Sequence, residues 1–288
     1  MDYYFNITGI IIRIVSDIEI SWNSYIMKFL TEPCGACDEE YHCRLVEELP
    51  LEGILVYRSD WQLIYKYGMF EERLHFFYGC SEPCMLYKEF ETHKTIYLNK
   101  TFLDSFLREE NYCIFNAMAF EKVLLKHRAI VLHSSFVVWK NQAILFTAPS
   151  GTGKSTQASL WEKYEGAIVA NGDRTILKEK DARIYAYGMP ICGSSDICLN
   201  VEVPLRAIVY LSQAKEDMLT VVDEKQKIKW LISETTINFF DGQFLDEALD
   251  IISHMGTKID MYHLSCTKEK GAVDILREKL EEADDEST

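Results

Sequence analysis

The sequence predicts an α/β protein: a mixed-sheet core around a Gly-rich loop, preceded by a β-rich region. Three observations predict it. The first hundred residues carry Tyr, Phe, Ile and Val in short runs broken by turn residues, the pattern of strands. After Lys100, apolar residues recur at helical spacing and then give way to β-branched runs. A Gly-rich segment, residues 148–155, stands between an apolar strand and a helical stretch.

Taken in order, Tyr3 to about Asn99 reads as mostly antiparallel strands, for example Gly53–Tyr57 and Leu63–Tyr67. Cys113, Ala117, Phe120 and Leu124 predict a helix over Asn111–His127, with Lys126 and His127 favouring its C-terminal dipole. Ala129–Trp139 and Ala143–Thr147 read as two strands joined by a tight turn at Lys140–Gln142. A helix then runs to about Tyr164, ended by Gly166, followed by strands at Ala167–Ala170, Thr175–Lys178, Ile184–Tyr187 and Leu205–Leu211. Helices near Glu224–Ile237 and Gln243–Met255, a strand at Lys258–Leu264 and a helix from Lys268 complete the chain, its acidic end (Glu281, Glu282, Asp284, Asp285, Glu286) running into solvent. These divide it into a β-rich region, 1–110, and an α/β domain, 111–288, that holds the Gly-rich segment.

The 288 residues are 48% hydrophobic and 26% charged, with 14 Gly and 6 Pro, which excludes collagen-like and largely disordered chains. The net charge of -15 offers no clustered Lys and Arg for a phosphodiester backbone, so nucleic acid and anionic membrane are not expected partners. No apolar run approaches the roughly 18 residues of a spanning helix, and the start Met1-Asp2-Tyr3-Tyr4 lacks the basic and apolar regions of a signal peptide. Nine cysteines, an odd number, then read as reduced thiols of a cytoplasmic protein. Cys34, Cys37, Cys80 and Cys84 have the chemistry to surround one zinc. Their spacing, with 42 residues between the pairs, fits a Cys-rich surface insertion between strands better.

Ala148-Pro149-Ser150-Gly151-Thr152-Gly153-Lys154-Ser155 matches G-x-x-x-x-G-K-[ST] except for Ala148 at the first Gly. Gly151 and Gly153 let successive N–H groups converge on phosphate oxygens. Lys154 reaches the outer phosphates, Ser155 sits on Mg²⁺, and the helix N-terminus adds partial positive charge. Ser150, Thr152 and Thr156 complete the expected nucleotide-binding set. The next strand ends in Asn171-Gly172-Asp173-Arg174, which puts the Asp173 carboxylate at a strand end beside the loop, suited to Mg²⁺ or to accepting a hydroxyl proton. Asn-Gly also suits a type I′ hairpin, whose tip can carry a ligand. His133, in Val131-Leu132-His133-Ser134-Ser135, gains interest from this company.

Together, His133 with its small followers, the strand pair, residues 149–156 and Asn171–Arg174 resemble the HPr kinase family, which belongs with the phosphoenolpyruvate carboxykinase-like nucleotide-binding folds. The resemblance covers roughly residues 129–211. Tyr187-Gly188-Met189-Pro190 to Pro204-Leu205-Arg206, and the tail Leu264-Ser265-Cys266 to Gly271-Ala272-Val273, are similar to HPr kinase-like proteins found beside peptide-modifying enzymes. The resemblance implies an ATP- and Mg²⁺-dependent kinase for a Ser-type hydroxyl of a peptide, protein or small molecule. His133, Lys154 and Asp173 would then be catalytic, and Ser155 and Asp173 would hold the metal. One departure matters: the family has two adjacent acidic residues after this strand, and here the first is Gly172. Either Asp173 serves alone, or another carboxylate such as Glu202 assists, or transfer is lost and the chain is a nucleotide-binding sensor or scaffold. For Glu202 a solvated face is the preferred reading. Arg206 suits either transition-state charge or structural pairing. A GTPase is disfavoured because no Asn-Lys-x-Asp segment is present.

Overall fold

Strands form where the aromatic and β-branched runs lie. The computed structural model describes residues 1–33, 35–59, 61–77, 79–108 and 112–285, and the chain divides into two compact units, Met1–Val123 and Leu124–Thr288. It is an α/β protein with two mixed sheets.

The first unit holds β1 (Asp2–Ile7), β2 (Ile10–Ser16), β3 (Glu39–Val46), β4 (Ile54–Arg58), β5 (Gln62–Tyr67), β6 (Phe70–Phe76), β7 (Pro83–Glu89) and β8 (Lys94–Asn99). They form one sheet in the order β1-β2-β3-β8-β7-β6-β5-β4. Pairing is parallel at β2–β3 and β3–β8 and antiparallel elsewhere. Phe5 anchors its core, packing edge-on against Trp22 and Phe115 at centroid separations of 5.1 and 5.0 Å.

Short helices α1 (Leu103–Arg108), α2 (Tyr112–Ala117) and α3 (Phe120–Lys126) follow. The single helix expected over 111–127 is therefore broken: Ala119 takes a left-handed φ of 50° while Ala117, Met118 and Phe120 are all buried. Packing of this apolar stretch overrides its helical periodicity. Asn111 lies outside the described residues, as do Cys34 and Glu286. Of the other cysteines considered for zinc, Cys84 is buried in β7 and donates to the His75 carbonyl at 3.4 Å, and Cys80 is exposed. Among the described residues no three His, Cys, Asp or Glu are placed to hold a metal.

The second unit contains β9 (Ala129–Trp139), β10 (Gln142–Thr147), α4 (Lys154–Glu165), β11 (Ile168–Asn171), β12 (Arg174–Lys180), β13 (Arg183–Tyr187), β14 (Glu202–Gln213), β15 (Met218–Val221), α5 (Glu224–Glu234), α6 (Gly242–Gly256), β16 (Met261–Cys266) and α7 (Lys270–Asp285). Lys140 and Asn141, both left-handed at φ 48° and 60°, make the tight turn between antiparallel β9 and β10. β10, β14 and β16 run parallel. β15, which the sequence pattern does not reveal, adds an antiparallel edge; its Met218 and Val221 are exposed.

β9 organises the site. Its first half pairs with β12, and its second half lies between β10 and β11. β11 and β12 therefore do not form the hairpin that Asn-Gly permits. Both run antiparallel to β9, one after the other, and the Gly172–Asp173 turn connects them along its edge. Trp161 of α4 and Leu276 and Leu280 of α7 bury one face of the sheet. Leu231 of α5 and Phe244, Ile251 and Ile252 of α6 bury the other. No helix among the described residues is long and apolar enough to cross a membrane.

Candidate active site

The phosphate loop begins where buried β10 ends. Ala148 is fully buried and has no left-handed φ, which is why Ala is tolerated at the first glycine position. Gly151 and Gly153 have φ of 78° and 122°, and an added Cβ would meet nothing within 4 Å at either. Their requirement is conformational. Gly153 is the N-cap of α4 and provides no side-chain cap, so the first N–H groups of the helix are left for an anionic ligand. Lys154 folds back to donate to the carbonyls of Ala148 and Pro149 at 2.9 and 3.5 Å. Burial lowers its pKa, with Glu234 and Asp173 opposing the shift. Thr152 Oγ1 also turns onto the Pro149 carbonyl, at 2.8 Å. From the end of β14, Gln213 donates to the Gly151 and Thr152 carbonyls, both at 3.3 Å.

Asn171 builds the facing turn. Fully buried, it accepts from the Asp173 and Arg174 N–H groups at 2.9 Å each and donates to the carbonyls of Met189 and Ile191 at 2.9 and 3.0 Å. From β9, Ser134 N–H donates to the Asp173 carbonyl and Ser135 Oγ to that of Gly172, both at 3.0 Å. The small residues after His133 thus grip the turn. Gly172 has no room for a side chain: a Cβ would lie 2.2 Å from Ser195 Oγ and 2.5 Å from Ser195 Cβ.

His133 sits between two carboxylates. Its Nε2 is 3.4 Å from Asp173 Oδ1 and its Nδ1 is 3.7 Å from Glu234 Oε2. Thr147 Oγ1 holds the His133 carbonyl at 2.8 Å. Contact with Asp173, then with Glu234, raises the His133 pKa against burial and the charges of Lys154 and Arg174. Burial opposes ionisation of Asp173, but His133 and Arg174, whose Nε lies 3.1 Å from Oδ2, overcome it and hold the carboxyl below its usual range.

These groups border one cleft of about 320 Å³, lined by His133, Ser150, Gly151, Gly153, Lys154, Ser155, Thr156, Gly172, Asp173, Cys192 and Ser195. Of the catalytic, metal and nucleotide-binding residues expected from the sequence, all but Thr152 are in this lining. Glu202 and Arg206 are elsewhere: Glu202 is exposed and paired with Lys180, and Arg206 donates to the Leu280 carbonyl at 2.5 Å. Sequence reasoning missed Glu234, Cys192 and Ser195, which have no motif and reach the site only through tertiary packing. The polar role of Asn171 was masked by its reading as a turn former. Ser155 is exposed at the first turn of α4 and lines the cleft with the ionised Asp173. One hydroxyl and one carboxylate are the oxygen donors that Mg²⁺ takes alongside phosphate and water.

The chain matches no family model and no curated protein. Among solved structures it is similar to the Hpr(Ser) kinase/phosphatase from Coxiella burnetii, at 12% identity and a TM-score of 0.33, over 55% of this chain and 96% of that chain. Likeness at that level does not establish a common fold, and the functional reading rests on the residues of the cleft.

Proposed function

We propose that this protein is a cytoplasmic, HPr kinase-like phosphotransferase, using ATP and Mg²⁺ to phosphorylate a hydroxyl of a peptide, protein or small molecule. One observation carries the reading. A glycine-shaped anion loop with Lys154 and Ser155 shares a single cleft with an ionised Asp173 and a His133 whose pKa is raised. A loop alone suits any nucleotide-binding protein; a carboxylate and an imidazole facing it suit proton removal from an acceptor.

The loop N–H groups and Lys154 would bind the phosphates, and Ser155 and Asp173 would hold Mg²⁺, which would supply neutralisation of phosphate charge. Asp173 takes the acceptor's hydroxyl proton as that oxygen bonds to phosphorus, and the bridging oxygen leaves with its electron pair on the nucleoside diphosphate. His133 and Lys154 offset negative charge beside it. Residues 1–110 are assigned the choice of acceptor.

The test is γ-labelled ATP with Mg²⁺ and cell extract, separated into peptide, protein and small-molecule pools. Label should appear in one pool with the wild type and vanish with Lys154→Ala; transfer retained in that variant refutes the assignment. The packing of Ser195 against Gly172, which leaves one carboxylate on the turn, favours a second reading as a nucleotide-binding sensor or scaffold. Tight MgATP binding with no label in any pool selects that reading.

A further inference from the structure

The two edges of the first sheet are finished differently. Along β1, Leu30 bridges Phe5 and the Thr31 N–H donates to the Tyr4 carbonyl at 2.9 Å, so part of that edge is closed. β4 ends the sheet on the other side, next to β5, and no further strand among the described residues pairs with it. All five of its residues, Ile54 to Arg58, are exposed, and four of them are large and apolar: Ile54 is 79% exposed and Val56 46%. Edge strands are ordinarily covered, kept short or studded with charge, because a bare one is a template for another strand. β4 carries a single charge, Arg58, and a bulge at Val56, which has no partner on β5.

The apolar surface continues past both ends of the strand. Ile54 lies opposite Lys66, and just beyond it Tyr67 and Met69 are exposed; Arg58 lies opposite Leu63, and at that end Trp61 is exposed. An aromatic side chain alone carries ~150–250 Å², so the patch offers on the order of several hundred Å² per copy, the scale of the ~800 Å² that each partner of a standard interface buries.

Charge selects the occupant. The chain has a net charge of -15, yet residues 52–69 balance Glu52 and Asp60 against Arg58 and Lys66. Two molecules of like net charge approach most easily on a neutral patch, and this patch is self-complementary. Antiparallel pairing of two β4 strands about a two-fold axis at Val56 sets Ile54 opposite the partner's Arg58, Leu55 opposite the partner's Tyr57, and Val56 opposite the partner's Val56. Arg58 then lies diagonally across from the partner's Glu52, where opposite charges attract across a sheet. The Trp61 end of one copy meets the Tyr67 and Met69 end of the other.

We propose that β4 is a dimerisation edge, at which two copies of this chain pair antiparallel about Val56 and join their sheets into one. The contact uses the same patch on both copies, so it closes at two and does not propagate. It belongs to the first unit and is independent of the reading of the cleft, whose residues all lie in the second.

The test is sedimentation equilibrium of the full chain across the micromolar range. Wild type should show the mass of two chains. Val56→Lys, which sets two ammonium groups opposite each other, should show the mass of one while keeping the circular dichroism of wild type, and Val56→Thr, which keeps the branched shape, should remain a dimer. A wild type with the mass of one chain overturns the proposal and leaves the edge to an extended segment of a different protein. A dimer that survives in folded Val56→Lys also overturns it, because the copies then meet elsewhere. If Val56→Lys does not fold, Val56→Cys decides: with oxidised glutathione it should form a covalent dimer well beyond any that wild type forms through its native thiols, and no excess over wild type overturns the proposal.

Discussion

The phosphate loop and the Asn171–Asp173 turn each follow a strand lying beside β9; the loop brings two glycines to the cleft and the turn one. In the loop, Gly151 and Gly153 have left-handed φ and open space where a Cβ would project. In the turn, Gly172 has no left-handed φ, and the space is filled by Ser195. The first is a demand of the backbone, the second a demand of the neighbours. A backbone demand is local and recurs wherever the loop does. A demand for close approach belongs to a particular packing, here the 189–198 segment tied to Asn171.

The largest stability effect should come from Asn171→Ala. It removes two acceptor contacts from the turn and strands two buried carbonyls, so the loss should be about 3 kcal/mol. Urea denaturation would measure it, and a loss below about 1 kcal/mol would mean that the turn is held by β9 alone. Next is Gly172→Ala, expected to cost about 2 kcal/mol because its methyl overlaps Ser195. Ser195→Gly should recover most of that in the double variant, since it removes both clashing atoms. Additive losses would break the distinction between the two glycines. Gly172→Asp meets the same obstacle, so a second carboxylate at this turn requires Ser195→Gly beside it.

Gly151→Ala sharpens the contrast. With no neighbour to relieve, its cost should be the left-handed penalty alone, about 1 kcal/mol, and no second substitution should rescue it. Its measurable consequence is weaker MgADP binding, because the methyl stands where phosphate approaches the loop.

The same distinction explains what was legible in the sequence. Residues 148–156 declared themselves because loop geometry imposes glycines at fixed offsets and a buried strand precedes them. The strand pair 129–147 was equally readable, from β-branched runs around a tight turn. Asn171-Gly172-Asp173 was legible as a turn bearing a carboxylate but not in its construction. Its strands pair with β9 rather than with each other, and the partners that shape it come from residues 189–198. Glu234 was invisible for a related reason: it ends an ordinary helix, and it reaches His133 because the chain after it is tied to β9, the Thr236 N–H donating to the Val131 carbonyl at 2.8 Å. The break at Ala119 went unread because burial of Ala117, Met118 and Phe120, not local propensity, decides it.

The smallest expected effect is on the pH dependence of stability, where loop and turn should respond in opposite directions. His133 has a raised pKa, from Asp173 first and then Glu234. Its contribution is fully present below the unfolded value, about 6.5, and is lost as pH rises through the folded value. Burial works against Asp173, but His133 and Arg174 prevail and its pKa is lowered. Its contribution is present above the unfolded value, about 3.9, and is lost as pH falls through the folded one. The stability difference between wild type and His133→Gln should therefore be greatest between about pH 4 and 6.5 and shrink on either side. Lys154 behaves in the reverse sense. Burial lowers its pKa, so its charge burdens the fold below the folded value, and the burden is relieved as pH climbs toward the unfolded value of about 10.4. Urea denaturation of wild type, His133→Gln and Lys154→Met from pH 4 to 10 separates the two. The His133→Gln difference should narrow with alkalinity, and any stability gained by Lys154→Met should narrow as well, from the opposite sign. A His133→Gln difference that grows above neutrality would show that the ring is neutral in the fold, and Arg174 would then be the cation left to hold Asp173 ionised.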